Sequence, residues 1–590
     1  MTNPADNSTP ATRPADGLGK ITFADDQARE LLQNSIAELN DPQPGRWQLV
    51  KENSSRTVYR GTIGRVDIFL KHFHNPSWSH RLGRRLGFSD AMREMRFSKY
   101  LRAHHVRTVS ALACRCDGGG EWLATRAVAP SESLDKWHEE QLGLGLAGQQ
   151  RIRQCTLALA RLIGRMHKVG VVHQDLHCGN ILLRTDTKKP TLVLMDLHRT
   201  GRRRRLSRRV RAANLAQLFH DRMHLTTRTD RLRFLERYLA ESGSGGTTRG
   251  WMLLIDIFAC RHTRKQYRQR DRRIFSRSRY FSPVKLPHRW RGHVVLASKR
   301  HLGGSRAAEI TFTRADWLAA LSSPESLFDD DVPRRAVFKD SPSSTVVRRR
   351  LKIGQHEVDV FVKRPRCKKF WKVFIDIFRP SRPVRAFELG HELLTRHIAT
   401  ALPLAAIQRR VGPFLRDSIL ITEAVDSPHL REFMDTWLSV PPRGDTPLSE
   451  PQQRKLAQEV LWQLGRMLQE LHDDNFAHRD LKATNIRIRW SLGARPEVVL
   501  VDLDGLSKVR MMTAQRRFKG LMRLNVSLLQ CPLVNHAGRL RMLMGYLRRP
   551  GSGRIHFKPY WRMLETWSAR KLVKQIRSRR RRQKANRRPK

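Results

Sequence analysis

The sequence predicts an α+β chain of two tandem bilobal domains, each a small β-rich lobe followed by a larger helical lobe. Three observations carry this. First, a His-x-Asp loop occurs twice, as His173-Gln174-Asp175-Leu176-His177-Cys178-Gly179-Asn180 and as His478-Arg479-Asp480-Leu481-Lys482-Ala483-Thr484-Asn485. The Asp lies five residues before the Asn in both. Second, two short apolar runs follow each loop, and the second run closes on an Asp: Val193-Leu194-Met195-Asp196 and Val499-Leu500-Val501-Asp502. Third, the alternating run Val66-Asp67-Ile68-Phe69-Leu70-Lys71 returns as Val358-Asp359-Val360-Phe361-Val362-Lys363. One such loop arises easily by chance, whereas two in register point to a duplicated domain.

The spacing is that of a phosphotransferase catalytic loop in a protein-kinase-like fold. Asp175 and Asp480 are placed to orient an attacking hydroxyl and accept its proton. The amide oxygens of Asn180 and Asn485 and the carboxylates of Asp196 and Asp502 are placed to share Mg2+, which bridges the phosphates of ATP. The apolar runs, such as Ile181-Leu182-Leu183 with Val193-Leu194, predict a β-hairpin that holds the two carboxylates on one rigid element. Lys71 and Lys363 each end a strand, where the nucleotide lysine of a kinase small lobe lies.

Composition narrows the partners. The 590 residues suffice for two domains with substantial cores, and 39% apolar content suits globular structure. A net charge of +59 predicts anionic partners. Nucleic acid is unlikely among them, because no nucleic-acid module signature occurs and aromatics make up only 7%. Seven scattered cysteines, with Cys114 and Cys116 too close for a zinc knuckle, predict reduced thiols. Met1–Asp16 has no apolar core of a secretory signal. The longest apolar stretch, Trp251–Cys260, is broken by Asp256, so no membrane span is expected.

In chain order, residues 1–20 read as disordered, 21–289 as the first domain, 290–570 as the second with its N-terminal connection, and 571–590 as a basic tail. A helix is expected from about Ser89, a good N-cap, to Ala103. It places Glu94 23 residues after Lys71, able to pair with it and hold it on the phosphates. Val106-Arg107-Thr108 matches Ile398-Ala399-Thr400, which puts Ala386 where the second copy would need that glutamate. If one copy alone carries the chemistry, this difference makes it the first. Apolar residues at helical spacing in Cys155–Val169 and Val460–Asp473 predict the long helices that deliver the chain to each catalytic loop. Gly303–Pro333 reads as the inter-copy connection, with a short helix around Trp317–Leu321.

Neither copy has a G-x-G-x-x-G loop. Asn53-Ser54-Ser55-Arg56-Thr57 and Ser341-Pro342-Ser343-Ser344-Thr345 stand in its place. No Ala-Pro-Glu segment follows Asp196 or Asp502, and Gln174 replaces the arginine of regulated protein kinases. These features argue against a conventional protein kinase. Met195-Asp196-Leu197-His198-Arg199 and Val501-Asp502-Leu503-Asp504-Gly505, with Leu215-Ala216-Gln217-Leu218 and Leu521-Met522-Arg523-Leu524, resemble the Kdo/WaaP lipopolysaccharide kinase family. The resemblance implies a bacterial enzyme that transfers the γ-phosphate of ATP to a heptose or Kdo of the lipopolysaccharide core, or to a related anionic glycolipid. It implies phosphate binding by Lys71 and Lys363, base roles for Asp175 and Asp480, and magnesium binding by Asn180, Asp196, Asn485 and Asp502. Lys482 falls at a position that meets the γ-phosphate, where the first copy has His177. An atypical protein kinase and a pseudokinase or nucleic-acid-associated scaffold remain as alternatives.

Both copies also carry a basic, aromatic segment after the lysine strand. It holds Trp78, His80, Arg81, Arg84, Arg85 and Phe88 in the first copy, and Lys368, Lys369, Phe370, Trp371, Lys372, Phe374, Ile377, Phe378 and Arg379 in the second. Such segments suit the headgroup boundary of an anionic membrane surface. The expected location is therefore peripheral, on the cytoplasmic face of the inner membrane of a Gram-negative-type bacterium.

Overall fold

A computed structural model describes residues 21–586 apart from 54, 75–88, 118–119, 143, 221–225, 299–309, 330–336, 367–376, 378, 439–447, 492–494, 530, 532–533 and 550–554. The chain forms two compact units, residues 1–264 and 265–590.

The first unit opens with an antiparallel sheet of β1 (Ile21–Phe23), β2 (Gln48–Asn53), β3 (Arg56–Ile63), β4 (Val66–Phe73), β5 (Ala111–Asp117) and β6 (Gly120–Arg126), in the order β1-β5-β6-β4-β3-β2. The alternation read in β4 sends Ile68 and Leu70 inward, where they pack with Leu32 and Leu39 of α1 (Asp26–Leu32) and α2 (Ile36–Asn40) and with Trp47 and Trp122. Next comes α3 (Asp90–Ala103), capped as expected: Ser89 Oγ accepts from Met92 N at 3.0 Å.

The helical lobe contains α4 (Leu134–Leu142), α5 (Gly145–Lys168), α6 (Arg208–His220), α7 (Arg228–Ser242) and, as far as residue 264, α8 (Thr248–Arg273). Leu159, Ile163 and Met166 of α5 form its core with Leu215, Phe234, Tyr238 and Trp251. Between the helices lie β7 (Ser131–Ser133), β8 (Val171–His173), β9 (Ile181–Arg184), β10 (Thr191–Leu194) and β11 (Thr200–Arg202). Strands β9 and β10 are the expected hairpin, with Ile181 opposite Leu194.

A buried polar relay ties α5 to the catalytic loop. His167 Nε2 donates to Asn214 Oδ1 at 3.0 Å, and His167 Nδ1 accepts from the Tyr238 hydroxyl at 2.8 Å. Asn214 Nδ2 then donates to the His173 carbonyl at 2.6 Å. Burial pushes the His167 imidazole down to about 4, with the Asn214 contact opposing, so the ring is neutral near pH 7 and one nitrogen remains an acceptor.

The second unit repeats this plan. Its sheet is built from β12 (Phe281–Lys285), β13 (Trp290–Val295), β16 (Val337–Ser341), β17 (Ser344–Ile353), β18 (His356–Pro365), β19 (Pro403–Val411) and β20 (Phe414–Glu423). The order is β12-β13-β19-β20-β18-β17-β16, and β14 (Ala297–Ser298) and β15 (Ile310–Thr311) make a separate pair. The expected boundary at 289 would cut the β12–β13 hairpin, in which Lys285 faces Arg291. Most of the expected connection belongs to the small lobe too. Helix α9 (Arg314–Ala320) buries Trp317, whose Nε1 donates to the Val295 carbonyl at 2.7 Å. Short strands flanked by polar runs give little local signal; sheet pairing and one buried indole decide their membership.

Helix α10 (Arg382–Thr395) takes the place of α3, and α11 (Glu450–Asp473) that of α5. Strands β21 (Phe476–His478), β22 (Ile486–Arg489), β23 (Glu497–Leu500) and β24 (Leu506–Lys508) repeat the loop framework. Helices α12 (Ala514–Leu528), α13 (His536–Leu547) and α14 (Lys558–Asn586) complete the lobe. The division expected at 570/571 falls within α14, whose first half buries Leu564 and Ser568 while Val573 and Ile576 farther on are exposed.

No described helix is long and apolar enough to cross a membrane. Among the described residues, Cys114, Cys116, Cys155, Cys178, Cys260 and Cys531 form no disulfide. The basic, aromatic segments lie outside the described residues, except Ile377 and Arg379.

Candidate active site

In each copy the end of the hairpin presents its Asp in a left-handed backbone conformation. Asp196 has φ 60° and ψ 52°, and Asp502 has φ 59° and ψ 68°. Non-glycine residues adopt this region at a cost, and such strain concentrates where a side chain must be aimed. The strand before each Asp is anchored from the small lobe. Thr108 Oγ1 donates to the Leu194 carbonyl at 2.8 Å and Thr400 Oγ1 to the Leu500 carbonyl at 2.6 Å.

The loops share most of their hydrogen bonding. The buried ring of His173 bonds the Met195 carbonyl through Nε2 at 3.1 Å and accepts from Asp175 N through Nδ1 at 3.2 Å. His478 accepts likewise from Asp480 N at 3.2 Å, but its Nε2 bonds the carbonyl one position further on, that of Asp502, at 3.3 Å. Burial lowers both imidazoles below the usual range, with the carbonyl contacts opposing. Asn180 Nδ2 donates to the Asp175 carbonyl at 2.9 Å, and Asn485 Nδ2 to the Asp480 carbonyl at 2.9 Å. Spending the amide nitrogen this way leaves the amide oxygen as the atom available to a cation.

The lysines differ in their partners. Lys71 Nζ bridges Glu94 Oε1 and Asp196 Oδ1, each at 2.7 Å. Burial would lower its ammonium, but Glu94 and then Asp196 hold it above the ordinary lysine range. Lys363 Nζ bridges Asp502 Oδ1 at 2.8 Å and Asp504 Oδ2 at 2.7 Å. Burial again opposes, and Asp504 and Asp502 override it. Ala386 is at the glutamate's place, as the alignment expected. The second lysine nevertheless keeps two carboxylates, because Asp504 takes over from the α10 position. This removes the reason for assigning the chemistry to the first copy alone. Asp504 was visible in the sequence as the second acid of Asp502-Leu503-Asp504, but only the fold brings it to the lysine.

Arg56 is a further site residue that sequence reasoning passed over. Its guanidinium grips Asp196 with both nitrogens, Nη1 to Oδ1 at 2.9 Å and Nη2 to Oδ2 at 2.7 Å. Burial would raise Asp196, but Lys71 and Arg56 hold it well below the usual carboxylate range. Glu94, Asp196 and His198 can each offer an atom within 4.8 Å of the others. Lys482, where the first copy has His177, lies 2.9 Å from Asp480 Oδ2.

The second copy's cleft is a cavity of about 370 Å³. It is lined by the apolar Val346, Phe361, Leu420 and Val425 and by the polar Lys363, Lys482, Asn485 and Asp502. That size and that mix of apolar and charged lining suit a nucleotide. In both copies the donor set is carboxylate plus amide oxygen, the hard oxygens that Mg2+ prefers.

The sequence model of the lipopolysaccharide kinase (Kdo/WaaP) family matches residues 44–238 and again 348–546, together well over half of the chain. The lipopolysaccharide core heptose(I) kinase WaaP of Pseudomonas aeruginosa is 27% identical over 212 residues, which cover 32% of this chain and 76% of that protein. A solved structure of WaaP in complex with acyl carrier protein matches 41% of this chain and 98% of its own length, at 23% identity and a TM-score of 0.32.

Proposed function

Because this chain belongs to the lipopolysaccharide kinase (Kdo/WaaP) family, phosphotransferases acting on a sugar hydroxyl, we propose that it transfers the γ-phosphate of ATP to a heptose or Kdo hydroxyl of the lipopolysaccharide core. The observation that carries this reading is the doubled Lys–Asp–Asn–Asp constellation, with near-identical distances in both copies. Lys71 and Lys363 steady the phosphates, and Glu94 and Asp504 hold the lysines in place. Asp175 and Asp480 take the proton of the sugar hydroxyl as its oxygen bonds to the γ-phosphorus and the β–γ bridging bond breaks to release ADP. Mg2+ held by Asn180 with Asp196, and by Asn485 with Asp502, would neutralise charge on the phosphates. Such chemistry rests on positioning and electrostatics, which rigid hairpins supply.

The test is a transfer assay with γ-labelled ATP, offering purified lipopolysaccharide and a protein mixture together. Label should enter the lipopolysaccharide core. Label confined to protein would replace this reading with that of an atypical protein kinase.

A lipid-linked acceptor calls for a membrane-facing enzyme. The basic, aromatic segments after each lysine strand support a peripheral site on the inner membrane's cytoplasmic face, as does the lysine- and arginine-rich end of α14. Each cation near an anionic surface contributes about 1 kcal/mol. Changing Lys368, Lys369, Lys372 and Arg379 together to Glu should release the folded protein from anionic vesicles. Unchanged co-sedimentation at physiological salt would reject that segment as the contact.

A further inference from the structure

Arg56 begins β3, in the turn that stands where a glycine-rich loop would cover the phosphates. Val58 lies opposite Lys71 in the sheet, and Val346 lies opposite Lys363. Two residues earlier the first copy has Arg56 and the second has Ser344. Ser344 lines the second copy's cleft. Arg56 instead grips both oxygens of Asp196, whose Oδ1 is also bonded by Lys71.

Lys71 and the bidentate guanidinium take three of the four acceptor positions of the Asp196 carboxylate and offset its charge, so a divalent cation has to compete with Arg56 for it. The Arg56 side chain is only 17% exposed, so a guanidinium displaced from Asp196 would need another anion close by. Phosphates held by Lys71 would provide one at the same place, and the planar fork of arginine matches phosphate oxygens two at a time.

We propose that Arg56 is a phosphate-handling catalytic residue of the first copy: it holds Asp196 while the site is empty and exchanges it for the nucleotide's phosphates when the metal arrives. This rests on the reading that the first copy binds a metal–nucleotide complex. Arg56 thereby replaces, with one side chain, the backbone amides that a glycine-rich loop would offer. It also makes metal binding depend on the nucleotide, because a lone divalent cation must displace Arg56 without giving it a new partner. Coulombic reach from Arg56 to Glu94 and Asp175 as well as Asp196 puts its charge among the reacting groups.

The test uses the full chain with Asp502→Ala, so that Mn2+ reports on the first copy. Without nucleotide, Arg56→Ala should bind Mn2+ about tenfold more tightly than the parent, because its competitor for Asp196 is gone. With Mg-ATP and acceptor, kcat of the same variant should fall about 10- to 100-fold, and Arg56→Lys should recover part of it as a point charge. Asp196 keeps Lys71 in these variants, so no carboxylate is stranded; Arg56→Ser, the second copy's residue, serves if Arg56→Ala misfolds. Unchanged Mn2+ affinity would overturn the guarding of Asp196, and unchanged kcat would overturn the transfer to phosphate. If Asp196→Ala in the same background removes no Mn2+ site, the metal–nucleotide reading of this copy fails, and the proposal fails with it.

Discussion

Asp175→Asn combined with Asp480→Asn lowers phosphate transfer to the sugar acceptor by about 100-fold or more, the usual size of a lost general base. Each single variant leaves the rate of the other copy. Asn keeps the shape of the side chain and removes only its basicity. The supports of each loop are backbone contacts, from Asp175 N to His173 and from Asn180 to the Asp175 carbonyl, and they survive the change. The same holds for Asp480. Counting carboxylates in the sequence would make the second copy the weaker, since Ala386 replaces the helix glutamate. Asp504 restores the count at 2.7 Å from Lys363, so both copies are expected to contribute. Single-turnover transfer of labelled phosphate measures this. A rate for Asp480→Asn as low as that of the double variant would confine the chemistry to the second copy, and the converse result would confine it to the first.

The two lysines differ in what their removal exposes. Lys71→Met should destabilise the first unit by about 3 kcal/mol, the usual cost of breaking a buried ion pair. Glu94 is fully buried, with one oxygen already lacking a hydrogen-bond partner, and Lys71 supplies the counter-charge to the other. Asp196 retains Arg56, so the stranded charge is chiefly that of Glu94. Adding Glu94→Gln should recover most of the loss, because a neutral amide costs less to bury than an unpaired carboxylate. Lys363→Met should cost about 1 kcal/mol or less. Its partners Asp502 and Asp504 are 37% and 26% exposed, and water takes over their solvation. Urea unfolding of each variant, read at the transition of the affected unit, gives the comparison. Equal losses for the two lysines would show that burial of Glu94 does not govern the difference.

Local spacing alone determined much of this protein. The two His-x-Asp loops, the hairpins that carry Asp196 and Asp502, the Ser89 cap and the strands that carry Lys71 and Lys363, each running two residues past the lysine, all depend on residues within a few positions of one another. Glu94 was legible from its place on the Ser89-capped helix that follows the lysine strand, and duplication supplied the register that located Ala386. The tertiary structure decided what depends on distant pairing. Arg56 meets Asp196 across 140 positions of sequence, through a β3–β4 register that composition does not reveal. Asp504 reaches Lys363 because the backbone turns sharply at Asp502. Residues 281–295 and the helix at Trp317 joined the second small lobe because sheet edges and one buried indole needed them. Periodicity shows which face of an element is apolar; which charges share a cleft follows from strand order and backbone direction, set by the packing of the whole unit.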